Sequence, residues 1–316
     1  MNLNLLAATF LLSALIQYLV QKIFIHYKKF DEINHRSSHV SLATRTGGIG
    51  IFLTIFSISL LYYLNGIELF EYSLLIPLSI MFIVGVYDDF YNADFKLKFF
   101  LQIIVAKILI DQGFVISNYF GLFGLYEIPW LLAQASTIFV FLVVVNAINF
   151  IDGIDGLAIS QILKGIILIE IFSPNLMTHC KLGLIVTFAI IPLYYFNFKQ
   201  KNKVFLGDSG SLFLGTFIMI FILEILSSDL TLKSEFNKTL FSVLVLLYPL
   251  IDLFRVFYIR VKNKKSPFIA DQNHLHHLLI KRYSHKKSII LITISEISVI
   301  VLIILVTELL KYSIRN

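Results

Sequence analysis

Charge is scarce in this chain of 316 residues, and cysteine is nearly absent. The single Cys180 excludes a disulfide framework and a CxxC metal site. Only 15% of the residues are charged, against 58% hydrophobic, and the mean hydropathy is +0.84. A water-soluble domain of this length needs a polar surface that so few charges do not supply. There is no internal repeat, no low-complexity tract and no polar stretch large enough for a soluble domain. The longest aqueous segment, 259–287, is a loop. The first apolar segment lacks a basic leader and a small-x-small cleavage site, so it is expected to stay as a helix rather than be removed as a signal peptide.

Apolar segments of roughly 16–22 residues recur instead, each long enough to cross a hydrocarbon layer of about 30 Å. Short alternating segments, the mark of a β-barrel, are missing. The fold expected is all-α: a polytopic integral membrane protein, a single domain over 1–316, with about ten transmembrane helices. The spans read as 3–25, 47–64, 72–87, 97–116, 131–149, 156–172, 180–197, 210–226, 239–258 and 288–309. Most of the 26 Lys and Arg fall in alternate connections, around 22–45, 96–98, 199–203 and 260–287. The positive-inside rule places these in the cytoplasm and both termini outside. The connection 117–130 has no Lys or Arg, and its aromatics, Gly and Pro suit an interfacial hairpin on the outer face.

The densest polar signal sits where an apolar run ends. Asn146, Asn149, Asp152 and Asp155 recur every three residues, with Gly153 and Gly156 interleaved. Asn146 and Asn149, at i and i+3, share a helix face, and the glycines permit turns that bring the two acids back toward them. Helix capping accounts for one of these four side chains, not for all. Asp88-Asp89 closes the third span, where two adjacent acids oppose the helix dipole; they suit cation binding or proton acceptance. Gly207-Asp208-Ser209-Gly210-Ser211 opens the eighth span. An N-cap Asp is the plain reading there. The functional one is a helix N-terminus facing phosphate, with an acid for the bridging metal. Carboxylate, amide and phosphate oxygens fit Mg2+ better than Zn2+. His274, His276 and His277 lie in the last basic loop; with no Cys nearby, phosphate contact fits them better than zinc. All four clusters fall on the cytoplasmic side.

Together these motifs resemble the polyprenyl-phosphate N-acetylhexosamine-1-phosphate transferases, a membrane family of the glycosyltransferase 4 type. Five blocks carry the resemblance and cover the chain nearly end to end: Arg36-x-x-His39 with Arg45-Thr46-Gly47-Gly48; Asp88-Asp89 with Lys96; 146–158; 205–211; and Ser266-Pro267-Phe268, Asp271 and His274-x-His276-His277. Leu275 breaks a run of adjacent histidines, which is similar to the N-acetylglucosamine branch rather than to the pentapeptide-using translocase. Asp94 stands near the acidic pair where the family has Lys, leaving Lys96 as the expected phosphate contact.

The resemblance implies transfer of an N-acetylhexosamine-1-phosphate from a UDP-sugar to undecaprenyl phosphate in a bacterial inner membrane, with release of UMP. This would be the first membrane step of a cell-surface polysaccharide. Mg2+, with Mn2+ as the alternative, would be held by Asp208, Asn149 and Asp152. Asp88, Asp89 and Asp208 would be catalytic. Arg45, Lys96, Asn146, Asp155, Phe205, Gly207, His274, His276 and His277 would bind substrate, with Phe205 against uracil. The family commonly forms homodimers; membrane lipids are expected neighbours and nucleic acid is not. A 6-deoxy-N-acetylhexosamine or a MurNAc-pentapeptide donor is the alternative within the class. An ion-coupled transporter is the alternative outside it, and that class places its acids near mid-membrane.

Overall fold

The computed structural model describes residues 3–31, 42–122, 124–173, 177–228, 232, 237–266 and 273–315. Arg36, His39, Pro267, Phe268 and Asp271 lie outside the described residues. In chain order the elements are α1 (Leu3–His26), β1 (Ala43–Thr44), α2 (Gly47–Leu64), α3 (Leu75–Tyr91), α4 (Phe95–Asp111), β2 (Asn118–Leu122), β3 (Leu125–Glu127), α5 (Trp130–Phe150), α6 (Leu157–Phe172), α7 (Met177–Asn197), β4 (Lys203–Val204), α8 (Gly207–Ser227), α9 (Lys238–Val245), α10 (Leu247–Lys262), α11 (Leu275–Ile280) and α12 (His285–Arg315); a 3-10 turn, Tyr72–Leu74, leads into α3.

The first helix is inside-out relative to one of a soluble protein. On α1 the buried stripe is Leu5, Thr9, Ser13, Gln17 and Gln21, at i, i+4 spacing. Leu11, Leu15, Leu19 and Ile23 on the same helix are exposed. Ser13 donates to the Ala189 carbonyl at 2.6 Å and Gln17 to the Gly47 carbonyl at 3.0 Å. Lipid is as apolar as leucine, so the buried face is chosen by packing and hydrogen bonding, not by hydrophobicity. Water would choose the opposite face. The chain is a multi-pass membrane protein.

Among the described residues six helices are long and apolar enough to cross a membrane, and a seventh span arises if α9 and α10 count as one. Each expected span contains a helix, though that of 97–116 ends at Asp111. The shorter ones, α4 and α6, have 17 and 16 residues. The expected span 239–258 is not one straight helix: α9 and α10 meet at a 76° bend. Segment 117–130 forms the expected hairpin, β2 pairing antiparallel with β3.

At the centre stands α8, with 94% of its apolar window buried, against 22% for α12. Phe213, Phe217 and Phe221 fill its surroundings. Two glycines let its first turn approach its neighbours. A Cβ on Gly48 would lie 2.1 Å from the Gly210 nitrogen, and one on Gly85 2.3 Å from the Asp208 carbonyl oxygen. The opening of α8 is therefore wedged between α2 and α3. A two-residue parallel bridge, Ala43 with Lys203 and Thr44 with Val204, ties the loop before α2 to the loop before α8. The loop ends around α1–α2, α3–α4, α5–α6, α7–α8 and α10–α12 meet at this one end of the bundle.

Candidate active site

Asp89 caps α8. Its two carboxylate oxygens accept from the backbone N–H groups of Asp208 and Ser209, both at 2.9 Å. The first amides of a helix have no partner in the helix itself, and a carboxylate there also answers the dipole. Gly207, at φ +76°, makes the turn; a Cβ there would sit 2.7 Å from Asp89 Oδ2. The arrangement aims Asp208 toward α5, where Asn149 Nδ2 donates to Asp208 Oδ1 and, at 2.8 Å, to Ser211 Oγ. Asp88, on the next position of α3, takes the Lys98 ammonium at 2.5 Å and the Ala93 N–H at 2.7 Å. Arg45 bridges Asp31 at 2.7 Å and approaches Asp89 at 3.7 Å. Beside it lies a cavity of about 360 Å³, lined by Phe24, Lys28, Lys29, Arg45 and Asp89 among others.

The loop 151–156 connects this pocket to a second cluster. Asp152 is half-buried at its edge. Burial first, then repulsion from Asp208, Asp89 and Asp155, holds its carboxyl well above the usual carboxylate range, in spite of Arg45. Asp155 turns the other way, to Lys203 at 2.5 Å and His285 at 3.1 Å. Its burial opposes ionisation, but the hydrogen bonds from His285 and Lys203 outweigh that and hold it below the usual range.

In the second cluster Asp252, on α10, organises the histidines. Its Oδ2 lies 2.6 Å from His274 Nδ1, and its Oδ1 accepts the Leu275 N–H at 2.6 Å. His276 is fully buried, with the Tyr248 hydroxyl 3.3 Å from its Nδ1. Burial, then the charge of His277, His274 and His285, pushes His276 well below its ordinary value, so the ring is neutral at pH 7. A Cβ on Gly153 would lie 2.6 Å from His276 Nε2 and 3.1 Å from the edge of His277. The two histidines thus abut the residue that follows Asp152.

Asp88, Asp89, Asn149, Asp152 and Asp208 come together, with Arg45 and Gly207 at their margin. His274, His276 and His277 form the adjoining wall. Asn146 turns away from Asn149: it exchanges hydrogen bonds with Gln102 of α4 and donates to Leu142. Lys98 rather than Lys96 reaches the acidic pair. Lys96 is exposed and lies in the first turn of α4, where Asp94 caps its N–H at 3.3 Å; Lys98, two residues on, projects back toward α3. Phe205 is half-buried and joins the bridge through its backbone, accepting from Gly47 at 2.9 Å. Asp252, Tyr248, Lys203 and His285 escaped the reading of the sequence as site residues; Lys98 stood there only beside Lys96, as one of the cations following the acidic pair. Asp252 carried a signal, an acid inside an apolar span; the others carried none that set them apart.

Two donor sets are available to a metal. Asp252, His274 and His276 bring three ligand atoms within 4.8 Å of one another, a set that could hold a metal ion. Its nitrogens suit a borderline metal, and the 2.6 Å Asp252–His274 contact already satisfies both groups. The oxygens of Asp208, Asp152 and Asn149 suit a hard cation such as Mg2+, and the like-charge repulsion raising Asp152 is what a cation would relieve.

The family model described as "Glycosyl transferase family 4" matches residues 72–226. A protein of Bacillus subtilis (strain 168), named as a probable undecaprenyl-phosphate N-acetylglucosaminyl 1-phosphate transferase, is 30% identical over 282 residues, covering 87% of this chain and 76% of that protein. The chain belongs to glycosyltransferase family 4. Proteins named undecaprenyl-phosphate alpha-N-acetylglucosaminyl 1-phosphate transferase from Salmonella typhi and Escherichia coli (strain K12) are 27% and 26% identical. Each matches over 92% of this chain and 80% of its own length. The matched residues of the family model include Asp88, Asp89, Asn149, Asp152 and Asp208, which the fold brings together.

Proposed function

We propose that the chain transfers an N-acetylhexosamine-1-phosphate, N-acetylglucosamine-1-phosphate first, from a UDP-sugar to undecaprenyl phosphate at the cytoplasmic face of a bacterial inner membrane. The observation that carries this reading is the meeting of Asp88, Asp89, Asp152 and Asp208 with Lys98, Arg45 and the histidine wall at one end of an apolar bundle. An oxygen of the lipid phosphate attacks the sugar-bearing phosphorus. A new P–O–P bond joins lipid to sugar phosphate, and the old bridging oxygen leaves on UMP. Both reactants are anions, and at 4 Å two unit charges at an effective dielectric of 20 repel by about 4 kcal/mol. In-line positioning and opposite charge must therefore supply the rate.

Asp208, Asp152 and Asn149 are the residues to hold Mg2+, Mn2+ being the alternative. When bound, the ion would neutralise diphosphate charge and stabilise the departing phosphate. Asp89 serves by fixing Asp208 through the amides of α8. Lys98 takes the lipid phosphate, and Asp88, its partner, orients that phosphate or accepts its proton. An apolar cavity of about 200 Å³, lined by Ile83, Val84, Tyr87, Leu97 and Leu101, opens beside Lys98 and suits the first isoprene units. Arg45, with Lys28 and Lys29 of the neighbouring cavity, faces the nucleotide phosphates. The product enters a cell-surface polysaccharide. The basic connections gathered at this end of the bundle support a cytoplasmic site with both termini outside.

Purified protein with Mg2+, undecaprenyl phosphate and a panel of UDP-sugars, scored by UMP release, tests the proposal. Release from UDP-N-acetylglucosamine that requires the lipid phosphate is the expected result. No release from any UDP-sugar would remove it.

A further inference from the structure

The bend between α9 and α10 is held by charge buried inside the bundle. Glu296 of α12 accepts from Lys164 of α6 at 2.5 Å and from Gln161 at 2.6 Å. It also accepts, at 3.0 Å, the backbone N–H of Tyr248, in the first turn of α10. That N–H is orphaned by the 76° break, and an unpartnered amide inside a membrane costs several kcal/mol. Lys164 and Glu296 are 7% and 4% exposed, so the pair anchors the start of α10 from within. Tyr248 is thus fixed at its backbone, and its hydroxyl reaches His276.

His276 Nδ1 has this hydroxyl at 3.3 Å, whereas Asp252 Oδ2 is 3.8 Å away and is engaged by His274. The other ring nitrogen, Nε2, is buried and has no partner among the described residues. It faces Gly153, where a side chain would block it. A neutral imidazole carries one proton. If Nδ1 accepts from the phenol, the proton stands on Nε2.

We infer that Tyr248 is a positioning residue: its hydroxyl donates to His276 Nδ1 and fixes His276 as an Nε2–H donor aimed past Gly153 at the donor diphosphate. This rests on the transferase reading for the identity of the anion, but the tautomer does not.

Tyr248→Phe removes one hydroxyl and keeps the ring. The expected result is a rise in KM for the UDP-sugar of about tenfold, the loss of one hydrogen bond to a charged group. The KM for undecaprenyl phosphate and the melting temperature should stay unchanged, and kcat should move less than about twofold. Gly153→Ala should raise the same KM by crowding Nε2. Ring-15N spectra of histidine-labelled protein, with His276 assigned by its loss in His276→Gln, should show Nε2 protonated and Nδ1 not, and Tyr248→Phe should mix the tautomers. Unchanged KM and spectra in Tyr248→Phe, an unprotonated Nε2 in the wild type, or a uniform loss of kcat, both KM values and melting temperature would each overturn the inference. A wild type that releases no UMP would sink the transferase reading alone, because the spectra decide the Tyr248–His276 contact without turnover.

Discussion

Two groups of ionisable side chains in this bundle are built on opposite rules. Lys164 and Glu296 are matched one to one, with Gln161 and the Tyr248 amide taking the remaining oxygen capacity. Asp88, Asp89, Asp152 and Asp208 are four acids at one end, with Lys98 and Arg45 the bases set against them. The first group is closed and serves the fold. The second accumulates one sign of charge, and Asp152 shows the cost in a carboxyl that resists ionisation. A membrane protein retains such an imbalance where a cation is to be bound. The transporter alternative looks for unmatched acids near mid-membrane; the charges buried between α6 and α12 are matched, and the unmatched ones lie at the helix ends.

This contrast can be broken from either side. Asp208→Ala should reduce turnover by about 10³-fold or more, judged by UMP release, with expression and melting temperature retained, since it removes repulsion as well as a ligand. Lys164→Met should do the converse. It strands Glu296 and should destabilise the protein by about 3–5 kcal/mol in thermal unfolding, whereas Lys164→Met combined with Glu296→Leu should recover most of the loss. If the single and double variants melt alike, the pair does not hold α10.

Mg2+ at about 100 times its dissociation constant should stabilise the wild type by about 2.7 kcal/mol relative to EDTA, and Asp208→Ala should abolish that shift. The smallest effect concerns Asp152. Its folded value is raised, so at acid pH, below about 3.8, both states are protonated and the cost is absent; the cost grows as pH rises and the unfolded chain ionises first. Asp152→Asn, which mimics the protonated form, should therefore raise the metal-free melting temperature at pH 7 by about 2–4 °C. The gain should vanish near pH 3. A gain independent of pH would place its origin outside the carboxylate.

Much of this molecule is readable along the chain. Helical spans and their alternation follow from apolar length and the position of Lys and Arg, because a bilayer admits so few backbone solutions. The acids and amides of the 88–89, 146–155 and 207–211 segments stand out because an apolar helix has no use for them. The choice among near neighbours was not readable. Lys96 and Lys98 look alike in sequence, and the turn capped by Asp94 decides which one meets Asp88. Asn146 and Asn149 share an i, i+3 spacing, yet one faces Gln102 on α4 and the other Asp208 on α8.

Sequence alone determined that this is a bundle of membrane helices with oxygen-rich and imidazole-rich segments collected at one end, since hydropathy and charge act locally and need no partner. Only the tertiary structure decided who pairs with whom. Asp89 caps α8 from 119 positions away. Lys203 of β4 and His285 at the start of α12 converge on Asp155, and Glu296 secures a break in a different helix. Such contacts depend on helix rotation and depth, which close glycine packing around α8 sets and no spacing along the chain encodes.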